Sequence, residues 1–207
     1  MHANTKGLLA AIIGLALALS GPALAFEASD VAFIQTAATA TSIPVGHAEF
    51  CQARPLECQP NSNPVATVPL TEALWMQLLS INAGVNGAVV PVTDEQLYQT
   101  SEFWTYPNGY GDCEDYALLK RRELINAGWP ASTLLLAVVK QANGEGHAVL
   151  MVRTDRGDLV LDNQVGSVDL WSQTPYKFIK RQSQADAGQW VDMIDTRDIV
   201  TATAAIN

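Results

Sequence analysis

The chain has 207 residues, the length of a single domain. Hydrophobic residues make up 48% of it and charged residues 16%, so it has ample apolar surface to bury and extended disorder is excluded. The formal net charge is −9, and the sequence contains no basic block. Because phosphates and anionic lipids attract clustered Lys and Arg, this charge argues against nucleic acid or a lipid surface as the main partner.

The N-terminus has the pattern of an export signal. Lys6 precedes an uncharged apolar run over residues 7–20, and a Gly-Pro pair then leads to an A-x-A site that ends at Ala25. This order is typical of a secretory signal peptide, so we expect cleavage after Ala25. The alternative is a membrane anchor, which the shortness of the apolar run disfavours. No later stretch approaches the length of a membrane span.

Export changes the interpretation of the three cysteines, Cys51, Cys58 and Cys113. In an oxidising compartment we expect two of them to pair and one to remain. Cys51 and Cys58 lie seven residues apart in a stretch rich in proline and polar residues, where a local disulfide would hold a loop that has little core of its own. Cys113 is then the odd thiol, which is either buried and inert or used in chemistry.

Other elements follow in chain order. The Ala- and Thr-rich segment up to Thr41 predicts an extended lead-in, and the prolines of residues 43–69 favour loops with short strands or turns. Apolar residues at helical spacing predict a helix over 71–83, with Thr71 as N-cap, and a short helix over 93–98. Downstream we predict a helix from Cys113 to Ala127 and strands over 134–139, 147–152, 159–162 and 189–194.

Two of these strands form a predicted hairpin that carries a histidine and an aspartate. His147 opens the first strand after a glycine-rich loop, and Asp162 closes the second. A two-residue turn at Arg156-Gly157 places Asp162 opposite Met151, about 13 Å along the strand from His147. In this register the two side chains share a face, but strand twist or a bulge has to close the distance between them.

Cys113, His147 and Asp162 are candidates for a catalytic triad. Backbone N–H groups and the dipole at a helix start stabilise a thiolate over a thiol, and Cys113 is placed at such a start. A thiolate nucleophile needs a base that moves protons and a third group that orients the base. Each residue also has a structural alternative: a buried cysteine, a structural histidine at a strand start, and an aspartate that caps a turn.

Several motifs resemble those of one family. The sequence Gly-Asp-Cys-Glu-Asp-Tyr at 111–116 and the segments 147–150 and 161–163 resemble the bacterial transglutaminase-like cysteine proteinases, which include periplasmic LapG-type adhesin proteases. The resemblance spans roughly residues 43–184. It implies an α+β, papain/transglutaminase-like fold with the nucleophile-bearing helix packed on an antiparallel sheet. It further implies that Cys113 is the nucleophile, His147 the general base and acid, and Asp162 the orienting carboxylate in contact with His147.

Three acids surround the candidate nucleophile. Asp112, Glu114 and Asp115 would raise the pKa of the thiol unless a cation neutralised them. Calcium takes carboxylate and amide oxygens as ligands, and LapG-type proteases, which this sequence resembles, need calcium beside the active site. The resemblance therefore implies a calcium site at these three acids, with Asn163 as a further candidate ligand. The alternative is simple helix capping by Asp112, with the other two acids favoured by the helix dipole.

The resemblance implies a periplasmic cysteine endopeptidase that acts on a protein substrate. If the chain is LapG-like, the substrate is the N-terminal part of a large repeat adhesin in biofilm control, and an inner-membrane cyclic-di-GMP receptor restrains the protease. The same fold also supports acyl transfer to an amine, as in a transglutaminase, and a non-catalytic binding module is a third alternative. The expected organisation is a signal peptide (1–25), an extended lead-in (26–42), the proteinase domain (43–195) and a flexible tail (196–207).

Overall fold

The computed structural model describes Met1 and residues 32–199. Apart from Met1, the predicted signal peptide lies outside the described residues, as does most of the predicted tail. Within the described part, no helix combines the length and the apolar character that crossing a membrane requires.

One antiparallel sheet of seven strands organises the molecule, in the order β1-β9-β8-β4-β5-β6-β7. A separate pair, β2 and β3, is parallel. The strands are β1 Gln35–Thr41, β2 Val90–Pro91, β3 Tyr110–Gly111, β4 Leu134–Lys140, β5 Gly146–Thr154, β6 Gly157–Leu161, β7 Asp169–Leu170, β8 Lys177–Gln182 and β9 Trp190–Ile194.

Within residues 32–199, four α-helices accompany the sheet: α1 Val45–Ala53, α2 Glu72–Ala88, α3 Asp94–Tyr98 and α4 Cys113–Asn126. Three short 3₁₀ turns cover Pro55–Cys58, Ala131–Thr133 and Trp171–Gln173. The predicted N-cap of α2 is confirmed, because the Thr71 hydroxyl accepts a hydrogen bond from the Leu74 amide.

The helix that carries Cys113 packs on the sheet, as the family resemblance implied. Ala117, Leu118 and Leu124 of α4 share one core cluster with Leu136 of β4 and Leu150 of β5. The alternate residues of β4 and β5 belong to a second cluster on the other face of the sheet. Because both faces of β4 are covered, its residues are apolar almost throughout and do not alternate with polar ones. The expected α+β fold is thus confirmed.

The hairpin register differs from the prediction. Thr154 pairs with Gly157, so the turn consists of Asp155 and Arg156 and starts one residue earlier than expected. Gly157 takes a φ of +124°, a conformation that glycine adopts readily. Leu150 consequently pairs with Leu161, which brings Asp162 two residues closer to His147 than the predicted register does.

The structure differs from three expectations about the chain segments on either side of the central strands. The segment 43–69 contains α1, which the sequence analysis had assigned to loops and turns because of its prolines. The predicted lead-in contains β1, which pairs with β9, so the sheet begins before the predicted domain boundary at residue 43. At the other end, Arg197 of the predicted flexible tail hydrogen-bonds the backbone carbonyls of Trp171 and Tyr176.

Candidate active site

Cys113 begins helix α4, where the sequence placed it, and its thiol is free. The Ala148 amide of β5 donates a hydrogen bond to Sγ over 3.4 Å. The thiol lines a cleft of about 400 Å³ together with His147. Cys113 and His147 also line a second cavity on the side of Asn163 and Gln164. The candidate nucleophile and base therefore lie between two depressions of the surface.

His147 and Asp162 form a buried hydrogen-bonded pair. Nε2 of His147 lies 2.9 Å from Oδ1 of Asp162, and the two residues are 4% and 3% exposed. An ionised carboxylate only accepts hydrogen bonds, so it selects the tautomer with the proton on Nε2 and leaves the lone pair on Nδ1. Burial raises the pKa of Asp162, but the hydrogen bonds from His147 and from the Gln164 amide outweigh it and hold the pKa below its usual value.

Two further residues that the sequence analysis missed contact this pair. The Tyr176 hydroxyl donates a hydrogen bond to Oδ2 of Asp162, and its ring centroid lies 5.4 Å from that of His147. The side-chain amide of Gln164 lies 3.4 Å from Nδ1 of His147. Neither residue belongs to a motif that sequence inspection would single out, because both act through contacts that the fold creates.

The predicted metal set is partly brought together. Asp112 and Glu114 lie close to Asp94, and one carboxylate oxygen from each of the three residues lies within 4.8 Å of the other two. Asp94 was not predicted. It precedes Asp112 by 18 residues, and the parallel pairing of β2 with β3 brings the two together, with the Asp94 amide donating to Asp112 Oδ2 over 3.3 Å.

Asp115 and Asn163 hold other positions. Asp115 is fully buried, and its Oδ1 accepts a hydrogen bond from the Thr105 amide over 2.8 Å. Asn163 lines the second cavity together with Asp112. In the described part of the chain, four buried oxygens of these residues lack a hydrogen-bond partner: Asp94 Oδ1, Asp112 Oδ1, Asp115 Oδ2 and Asn163 Oδ1.

The acids strongly influence one another and the thiol. Burial, followed by the charge of Asp112, raises the pKa of Glu114 to about 9. Burial is also the main cause that raises the pKa of Asp115 to about 8 and that of Asp94 to about 6. Burial, and then the Glu114 carboxylate 3.0 Å from Sγ, raise the pKa of Cys113 well above its usual value. The protein alone therefore opposes a thiolate here, contrary to the effect expected from the helix start.

A divalent cation fits this arrangement. Buried carboxylate oxygens without hydrogen-bond partners are costly, and a hard cation with oxygen ligands satisfies them and removes their mutual repulsion. The donors at the cluster are all oxygens, which suits calcium and not a soft metal. The residues present thus fit the calcium that the resemblance implied, with Asp94 added to the expected set.

The comparisons agree with the family that the sequence motifs resemble. The family model described as bacterial transglutaminase-like cysteine proteinase matches residues 37–198, and the chain belongs to this family. The expected family is confirmed. None of the curated protein sequences compared with the chain is significantly similar to it.

Three solved structures of LapG from Legionella pneumophila are similar to the chain. The calcium-bound protein is 25% identical, with a TM-score of 0.46, over 51% of this chain and 63% of that one. The EGTA-treated protein is 24% identical, with a TM-score of 0.48, over 59% and 68%. A third LapG structure is 26% identical, with a TM-score of 0.48, over 56% and 67%. The chain thus spans slightly less than two thirds of the first of these proteins.

Proposed function

We propose that the protein is a cysteine endopeptidase with Cys113 as nucleophile, His147 as general base and acid, and Asp162 as the orienting carboxylate. The observation that carries the proposal is the buried bond of His147 to Asp162 beside a free thiol in the same cleft. A lone histidine at a strand start has a structural explanation, but its pairing with a carboxylate beside an unpaired cysteine is the arrangement that nucleophilic catalysis requires.

The proposed reaction proceeds through an acyl-enzyme. The Cys113 sulfur forms a bond to the carbonyl carbon of the peptide, and Nδ1 of His147 takes the thiol proton. The same imidazolium then gives that proton to the departing amine as the C–N bond breaks. Water next attacks the thioester and loses its proton to His147, which returns it to sulfur as the carboxylic acid leaves. Asp162 stabilises the imidazolium in both halves without becoming protonated.

Calcium is part of the proposal. Asp94, Asp112 and Glu114 would hold the ion, and Asp115 and Asn163 each have a further buried oxygen without a hydrogen-bond partner. When bound, the cation supplies positive charge that offsets the carboxylates beside Cys113 and so favours its thiolate. The chain's own part is to hold the thiol next to the Ala148 amide and to keep this cluster buried.

The remaining elements of the proposal concern location and partners. We place the mature protein in the periplasm, with the signal peptide cleaved after Ala25, and the disulfide between Cys51 and Cys58 supports an oxidising compartment. The proposed substrate is a large repeat adhesin in biofilm control, cut near its N-terminus. The proposed regulator is an inner-membrane cyclic-di-GMP receptor. Both follow from the resemblance of the active-site motifs to LapG-type proteases.

A peptide-library digestion tests the activity. The mature protein is incubated with calcium and a library of peptides from adhesin N-termini, and new termini are identified by mass spectrometry. A matched reaction with Cys113→Ala controls for contaminating proteases. A biotinylated primary amine is included throughout, so that incorporation of the amine reports acyl transfer. New termini that depend on Cys113 would support the peptidase. Amine adducts without hydrolysis would identify a transglutaminase. If neither product forms, the non-catalytic binding module is the remaining alternative.

A further inference from the structure

We propose that Tyr176 is a positioning residue that fixes Asp162 and thereby the tautomer of His147; this inference rests on the proposed peptidase function. Tyr176 directly precedes β8 and is 4% exposed. It belongs to the core cluster on the face of the sheet that is turned away from α4. Tyr176 therefore approaches the His147–Asp162 pair from the side of this cluster, whereas Cys113 lines the cleft on the other side of the pair.

The hydrogen bonds of Asp162 show what the tyrosine does. Oδ1 accepts from Nε2 of His147 at 2.9 Å and from the Gln164 amide at 3.0 Å, while Oδ2 accepts from the Tyr176 hydroxyl. Both oxygens are thus engaged, and rotation of the carboxylate would break bonds on both sides at once. Because a bond between a hydroxyl and a carboxylate is charge-assisted, the Tyr176 contact is among the stronger ones that hold Asp162.

The ring of Tyr176 restrains the imidazole as well. The two rings lie 5.4 Å apart at an interplanar angle of 56°, so tilting of His147 toward the second core cluster is blocked by the phenol. Burial and the Asp162 carboxylate both raise the pKa of Tyr176, which keeps its hydroxyl protonated and available as a donor. One residue therefore contacts both members of the pair, through its hydroxyl and through its ring.

Loss of the hydroxyl should affect the chemical step and not substrate binding. With Oδ2 unpaired in a buried place, the Asp162 carboxylate is free to turn and its bond to Nε2–H weakens. His147 then samples the other tautomer, in which Nδ1 carries the proton and is unable to accept one from Cys113. We expect Tyr176→Phe to lower kcat about tenfold, the equivalent of about 1.4 kcal/mol, with KM within about twofold of the wild type.

The experiment compares Tyr176→Phe with Tyr116→Phe. Tyr116 is a matched control because it is similarly buried and its hydroxyl donates to the Val89 carbonyl instead of to either member of the pair. Each variant is measured for kcat and KM on a cleaved peptide. Each is also measured by long-range ¹H–¹⁵N spectra of its histidine side chains in a Cys113→Ala background, which report the His147 tautomer without any substrate. We expect a shift toward the Nδ1–H tautomer in Tyr176→Phe alone.

Each outcome has a definite meaning. A changed tautomer in a protein that cleaves no peptide would support the role of Tyr176 and reject the peptidase. An unchanged tautomer together with wild-type kcat would overturn the role of Tyr176 and leave the peptidase intact. Equal losses of kcat in both variants, or unfolding of Tyr176→Phe, would show that the hydroxyl serves the fold in general and would also overturn the inference.

Discussion

The amide of Thr105 donates a hydrogen bond to Asp115 over 2.8 Å, and this bond attaches one wall of the cleft to helix α4. Two residues earlier, the Phe103 amide donates to Asp94 of the proposed calcium cluster. Trp104 lies between these two attachments and lines the cleft. Asp94 and Asp115 therefore hold part of the cleft wall, so a cation bound at the acidic cluster would influence the shape of the cleft as well as its charge.

Calcium should stabilise the fold by mass action. At a hundredfold excess over Kd we expect a gain of about 2.7 kcal/mol in the free energy of unfolding, measured as a rise in Tm over an EGTA control. Magnesium should produce a smaller rise, because it demands a stricter octahedral geometry. Asp94→Asn should abolish the calcium-dependent rise, since it removes a charged ligand but keeps an oxygen for the Phe103 amide.

Asp192→Asn is the matched control for this measurement. Asp192 lies on β9, is exposed, and is outside the acidic cluster, so its variant should keep the full calcium-dependent rise. If EGTA leaves Tm unchanged and metal analysis finds no ion, the acids act only as structural anchors for the Phe103 and Thr105 amides.

Hydrogen exchange should detect the link between the cluster and the cleft wall. We expect the Phe103 and Thr105 amides to exchange more slowly with calcium than with EGTA, because the carboxylates that accept their hydrogen bonds become fixed. The Leu136 amide, buried in the central strand, exchanges only through global unfolding, so calcium should slow it only by the gain in global stability. Equal exchange of all three amides in both conditions would contradict the proposed coupling.

Cys113 should be the cysteine that reacts in the native protein. Iodoacetamide should add one carbamidomethyl group, which peptide mapping locates at Cys113, because Cys51 and Cys58 are joined in a disulfide. Cys113→Ala should lower turnover by roughly 10⁴-fold or more while leaving Tm nearly unchanged. Mapping of the label to Cys51 or Cys58 would contradict both the pairing and the role of Cys113.

His47 should make stability depend on pH. Burial, and then the positive charge of Arg121, lower the pKa of His47 to about 4, and its Nδ1 accepts a hydrogen bond from Trp190. Between pH 4 and 6.5 the unfolded chain binds more protons at this residue than the folded one does. The contribution of neutral His47 is therefore complete above pH 6.5 and declines as pH falls toward 4.

The measurement compares the wild type with His47→Gln. The variant is needed because the raised pKa values of the buried acids change the stability with pH in the opposite direction, and the difference between the two proteins isolates His47. From pH 7 to pH 5 we expect the wild type to lose about 2 kcal/mol more than the variant in the free energy of unfolding. Denaturant titrations at both pH values give the two differences. Parallel losses in the two proteins would show that His47 is not the titrating group.

The sequence was sufficient for the elements whose signals are local. The N-cap at Thr71, the helix that starts at Cys113 and the apolar strand β4 each follow from neighbouring residues. Asp94 could not be found in this way, because no local pattern relates it to Asp112. Its place in the acidic cluster depends on β2 and β3, two strands of two residues each, which are too short to leave a periodic signal.

Helix α4 shows a second limit. Lysine and arginine side chains are mostly exposed in folded proteins, yet Lys120 and Arg121 of this helix are 1% and 5% exposed. The helix packs against α2 on one side and the sheet on the other, so little of its circumference remains for water. Arg121 donates to the Leu134 carbonyl, while burial lowers the pKa of Lys120 to about 7. The periodicity of apolar residues identifies one buried face of a helix, but it does not reveal a second buried face that carries charged residues.

The turn at Asp155 and Arg156 fixes the register of the β5–β6 hairpin and therefore the distance between His147 and Asp162. This turn lies at the far end of the hairpin, about 23 Å along the strand from His147. One added residue there would turn Asp162 to the opposite face of the sheet, and two would move it about 7 Å away. Both turn residues are exposed. This loop should consequently accept many substitutions but no change of length, so insertions tolerated in most surface turns would here inactivate a protein that still folds.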